Sequence, residues 1–170
     1  HSLLALLGRF ALAALFWKAG QTKVANFALD PFAGTWQIGW PRLADFTVEL
    51  FASEYQLPFI SPAVAALLAA TAEHVLALLL LLGLATRFAA LGLLSMTLVI
   101  QLLVYPDAYP THATWAAVLL YLLARGPGVF SLDHLLARHY RVLGRSPGPF
   151  YPPFVLFSAS DWAPPPLLRA

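Results

Sequence analysis

Arg9 and Glu73 are the residues whose type and setting most directly invite chemistry. Each stands inside a long apolar stretch, "SLLALLGRFALAALFW" and "PAVAALLAATAEHVLALLLLL", and an ionisable group at the centre of a membrane span costs about 2.5 to 3.5 kcal/mol on insertion scales. Such a cost needs compensation. Counting inward from Lys18 and Pro62 along antiparallel helices places both about 13 to 17 Å deep, so the sequence predicts that they pair. The pair has two readings: a buried ion pair that fixes helix register, or a charged site for a ligand headgroup or proton.

Further polar residues gather on the same path. Arg9, Ala13, Phe16, Gly20 and Lys23 alternate in steps of four and three and share one helical stripe; Arg87, Leu91, Leu94, Leu98, Gln101 and Tyr105 make another. With both stripes turned inward, Lys23, Gln101, Tyr105 and His112 are expected to form a polar vestibule at the outer end of a bundle, floored by Arg9 and Glu73. These six are the candidate binding residues. The competing account has Lys18 and Lys23 snorkelling to the interface and Tyr105 belonging to an aromatic belt.

Other chemistries find little support. His74 and His112 fall about 18 Å apart in depth, and the spacing of His134 and His139 is wrong for one helical face, so no metal site is expected. "GPG" at 126–128 resembles no phosphate loop, and no nucleophile motif appears. Cysteine is absent, which excludes disulfides and cluster-binding thiolates.

The elements that must position these residues follow from composition. Of 170 residues, 60% are hydrophobic and 11% charged, and the mean hydropathy is +0.73, values that belong to integral membrane proteins. The apolar runs are continuous and do not alternate, so the predicted class is all-α: a polytopic bundle of four transmembrane helices with interfacial amphipathic helices. The first helix is expected to run through Lys23 toward Phe27, the second from about Pro62 to Leu82, the third from Arg87 to Tyr105, and the fourth from Pro110 to Arg125. "PRLADFTVELFASEY" and "SLDHLLARHYR" read as surface helices, the first with Leu43, Phe46, Thr47, Leu50 and Phe51 on its apolar face.

Arg87, Arg125, Arg138, Arg141 and Arg145 outnumber Lys18, Lys23 and Arg42 on the other side, which places both termini in the cytoplasm of a bacterial-type inner membrane. The +2 net charge therefore reports orientation and does not call for nucleic acid. Residues 1–137 read as the membrane domain and 138–170 as a proline-rich cytoplasmic tail, whose segment 147–170 is a candidate contact for other subunits beside membrane lipids. The first residue is His1 and not Met, so a preceding segment is expected.

The run "RFALAALFWKAGQTK", the loop "FASEYQLP", the stretch "AEHVLALLLLLGLATRFAALGLLSMTLVIQ", then "YPDAYPTH" and "LLARGPGVFSLDHLL" together resemble the DoxX family of four-helix membrane proteins over about residues 3 to 136. The resemblance implies a compact bundle and a role beside redox proteins, as in the membrane subunit of thiosulfate:quinone oxidoreductase. In that light Tyr105, Asp107 and His112 could bind a quinone headgroup or dock a redox partner, or else form a rigid loop that caps the fourth helix. The function expected is the membrane subunit of a quinone-linked complex that receives its electrons from a partner; the alternative is an accessory subunit that stabilises a larger assembly without chemistry.

Overall fold

The computed structural model describes residues 1–142, so the proposed tail contact at 147–170 lies outside the described residues. Four helices form the body: α1 (Ser2–Gln21), α3 (Pro62–Leu82), α4 (Thr86–Leu103) and α5 (Tyr109–Arg125). They pack as a ring in which α1 touches α3, α3 touches α4, α4 touches α5, and α5 returns to α1. α1, α3 and α4 are long and apolar enough to cross a membrane.

The core lies where the four meet. Ala5, Leu12, Ala13 and Phe16 of α1 pack against Ala77 and Leu80, against Ala89, Ala90, Leu93 and Leu94, and against Leu119 and Leu122. The first predicted stripe holds on α1 from Arg9 through Ala13 and Phe16 to Gly20, all buried, and Lys23 is buried beyond the end of the helix. The second is rotated: Ala89, Ala90, Leu93 and Thr97 face inward, while Leu91 and Leu98 are about half exposed. Membrane helices bring small residues to their interfaces, because leucine is as comfortable against lipid as against protein.

α1 ends earlier than predicted, and the protein is not purely helical. After Gln21 the chain enters a hairpin of β1 (Val24–Asp30) and β2 (Thr35–Leu43). Its turn is set by Asp30, whose carboxylate accepts the N–H groups of Phe32 and Ala33 at 3.0 Å, and by Gly34 at φ +67°. The hairpin folds back along α1. Trp17 packs on Phe27, Lys18 pairs with Asp30 at 3.2 Å, and Phe32 at the tip meets Phe10.

Gly20 explains the offset between α1 and α3. A Cβ there would lie 3.1 Å from that of Glu73 and 2.7 Å from the His74 ring, so only glycine allows this approach. Gly20 is therefore level with Glu73, eleven residues or about 16 Å from the Pro62 end of α3. α1 reaches only the middle of its neighbour. The rest of α3 is covered by α2 (Asp45–Leu50) and a π-helical turn (Phe51–Tyr55), with Phe51 buried on Ala65 and Ala66. The helix expected over 41–55 is thus shorter and bent, and Phe46 is exposed where Thr47 is fully buried.

At the opposite end, α6 (Leu132–Val142) closes the bundle. Asp133 accepts the N–H groups of Ala85 and Thr86 at 2.8 and 3.0 Å, and so caps α4 from another helix. The buried side of α6 carries Asp133 and Ala137, whereas Leu132 and Leu135 are exposed.

Candidate functional site

Glu73 projects from mid-α3 into the bundle, and its partner is not Arg9. Lys23 Nζ lies 2.9 Å from Oε1, aligned for a hydrogen bond, and 2.8 Å from Oε2, out of line for one. Its third contact is the Ala19 carbonyl at 3.2 Å, one of the unpaired carbonyls at the end of α1. Both side chains are at most 8% exposed. The Lys23 backbone carbonyl accepts the Ala44 N–H and the Thr47 hydroxyl, so both ends of the hairpin are tied at this residue.

Arg9 is a full helix half away. Its guanidinium is 1% exposed, donates to the Phe130 carbonyl, and lies against Gly83, where any Cβ would overlap it. The predicted Arg9–Glu73 pair fails because Lys18 and Pro62 are not level: α1 stops halfway along α3, which moves Arg9 to the Gly83 end. Arg9 Nε and Nη1 have no hydrogen-bond partner among the described residues. Its role is to hold the α5–α6 loop on the bundle, and it does not floor a vestibule.

At the Pro106 end, Gln101 and His112 do come together, without Lys23, while Tyr105 turns to Glu54 and Tyr55. His112 Nδ1 and Gln101 Oε1 are 2.8 Å apart, and Gln101 Nε2 donates to the Pro106 carbonyl at 2.6 Å. Tyr105 donates its hydroxyl to Glu54. Tyr55 is edge-on to Tyr105 at 6.0 Å and feels the charge of Glu73. The Tyr105 hydroxyl titrates well above the ordinary range because it is bound to the Glu54 carboxylate and partly buried. Burial first, and then the charges of Glu73 and Glu54, raise Tyr55. The sequence signal for Glu54 and Tyr55, in "FASEYQLP", is an acid beside a tyrosine at the end of an otherwise apolar segment.

His74 carries the arrangement sideways. Consecutive helix residues diverge by about 100°, so Glu73 faces the bundle and His74 faces the hairpin. Its Nδ1 lies 2.7 Å from the Ala70 carbonyl and its Nε2 2.9 Å from Gln21 Nε2, while Gln21 Oε1 accepts the Leu29 N–H. That pattern fits a neutral ring protonated at Nδ1. His74 lines a crevice of about 400 Å³ between the hairpin and α3, together with Trp17, Phe27, Thr71 and the mouth residue Arg42. Leu67, Val75 and Leu78 on its α3 wall are about half exposed, so it opens to the side of the bundle.

Among the described residues no group of three or more His, Asp or Glu could hold a metal. The DoxX family model matches residues 4–106. That stretch contains α1, the hairpin, α3, α4, the Lys23–Glu73 pair and the crevice. The chain belongs to the DoxX family. No curated protein and no solved structure matches it. The DoxX assignment agrees with the resemblance read from the sequence and makes this a membrane protein whose apolar helices meet lipid.

Proposed function

We propose that this DoxX protein is the membrane subunit of a quinone-linked redox complex, and that a quinone-like headgroup enters the crevice beside His74. One observation carries the reading: consecutive residues Glu73 and His74 put a buried ion pair on one side of α3 and a side-opening crevice on the other, at the same mid-depth. The crevice falls within the size range of small-molecule sites. Its aromatic and aliphatic walls suit a ring and an isoprenoid chain, and Thr71 and Arg42 can donate to a headgroup carbonyl. Electrons come from a partner, and the Gln101–Tyr105–His112 cluster forms the polar outer face above the site. In this reading α5 is a fourth span, both termini are cytoplasmic, and the membrane is a bacterial-type inner membrane.

The accessory-subunit reading draws on a different observation. Gln101 and His112 bond each other, Gln101 also donates to the Pro106 carbonyl and Tyr105 to Glu54, which leaves few free donors. Lipid extraction and mass spectrometry of the complex purified from its native membrane separates the two. The redox reading expects a quinone that accompanies the native protein and is lost when Thr71→Phe fills the crevice. Absence of quinone, together with full turnover of the complex carrying Thr71→Phe, would establish the accessory role.

A further inference from the structure

The hairpin stands edge-on to α1. Leu29 donates its backbone N–H to Gln21 Oε1 at 2.7 Å and accepts from Trp17 Nε1 at 2.9 Å, so its backbone groups point at α1 and away from β2. Residues that face one another in an antiparallel pair share this character. Trp36 lies opposite Leu29, and Ile38 opposite Phe27, two residues earlier. Both therefore direct their N–H and C=O groups outward from the far edge of the two-stranded sheet, where no backbone partner occurs among the described residues. The side chains are also bare: Trp36 is 67% exposed, Ile38 83% and Trp40 89%.

This edge lies deep. The hairpin leaves α1 at Lys23, about 16 Å inside the Pro62 end of α3, and then runs toward the Gly83 end until Phe32 meets Phe10. Residues 31–41 carry no charge. Hydrocarbon offers nothing to a backbone N–H or C=O, and open sheet edges do not face lipid within membranes. Lys18 and Asp30 pair on the β1 side of the hairpin with Lys18 62% exposed, a second polar feature that lipid would leave uncompensated.

We propose that the outer edge of β2, from Trp36 to Trp40, docks an extended apolar segment of a different membrane-embedded polypeptide, which adds as a third strand. The inference rests on α3 crossing the membrane and not on the quinone reading. A partner strand supplies the missing backbone groups, and its alternate side chains cover Trp36, Ile38 and Trp40. A second copy of this chain fits poorly. Copies in one membrane share orientation, so a two-fold axis along the membrane normal would set two β2 edges parallel and level, whereas bonded residues in a parallel ladder are staggered by one position.

A photo-cross-linking amino acid placed at Trp40 of the full chain in its native membrane tests this, with Leu98 of α4 as the control position. Ile38→Pro removes the outward N–H and spares the ladder to β1; Ile38→Val keeps it, and Trp36→Lys alters the face by a side chain alone. The expected result is an adduct at position 40 with one polypeptide other than this chain, absent at position 98, reduced several-fold by Ile38→Pro and by Trp36→Lys, and unchanged by Ile38→Val. Where Ile38→Pro lowers the protein level, Trp36→Lys decides. Adducts with lipid alone, adducts with another copy of this chain, or a partner adduct indifferent to the disrupting variants would overturn the proposal.

Discussion

At mid-depth in the bundle, the Lys23 ammonium has only Glu73 and one helix-end carbonyl to replace its water. Removing one member of such a pair strands the other, at a cost of about 3 to 5 kcal/mol. Glu73→Gln is therefore expected to lower melting in detergent sharply, and Lys23→Met in the same chain to restore much of the loss. Arg9→Gln and Glu73→Gln, acting at separate sites, should instead add to within about 0.5 kcal/mol. Coupling of Arg9 to Glu73 as strong as that of Lys23 would contradict the assignment. The inward stripe from Arg9 to Lys23 was legible from spacing alone. The partner was not, because helix register depends on Gly20 admitting Glu73 and His74, a contact between segments that no local pattern encodes.

Tyr105 gives a pH prediction at the same scale. Its hydroxyl donates to Glu54, which holds its pKa above the ordinary value of about 10. Because the folded-state value is raised, the contact contributes fully below the unfolded value and is lost as pH climbs through the folded one. Glu54→Gln should bring tyrosinate absorbance to a lower pH and narrow the alkaline stability range. An unchanged titration would mean that Glu54 does not hold the hydroxyl.

Among the elements, α3 was readable to the residue and the hairpin was not. Pro62 at the first turn and Gly83 at φ +67° mark the two ends of α3. The hairpin hides in apolar composition: "VANFAL" continues the hydrophobic run of α1, and only "DPFAG" announces a turn. α6 misled for another reason, since its amphipathic pattern cannot reveal that Asp133 is spent on the bare N-terminus of α4. Asp133→Ala should cost about 0.5 to 2 kcal/mol, the range for lost caps, and speed amide exchange in the first turn of α4. Exchange that stays unchanged there would show that α4 needs no such cap.

Taken whole, the molecule is a ring of four helices whose first wall is made in two pieces, α1 below the Lys23–Glu73 pair and α2 with the π-helical turn above it. Broken walls place backbone ends and charges at mid-depth, where membrane proteins hold ligands. The membrane class and the four helices were legible because composition and run length report them directly; the break was not, because it follows from packing. The proposed cytoplasmic placement of both termini is checked by cysteines at Ser53 and Ser146, which should respond oppositely to an impermeant thiol reagent on intact cells. Labelling at 146 with 53 silent would invert the orientation.

Photolabelling by an azido-quinone shows whether the proposed headgroup site is the crevice beside His74. The complex is labelled in its native membrane, with and without excess unmodified quinone, and the modified peptides are mapped by mass spectrometry. Competable label is expected on residues 67–78 of α3 and on the facing hairpin. Competable label confined to Gln101–Trp115, or none that excess quinone removes, would contradict it.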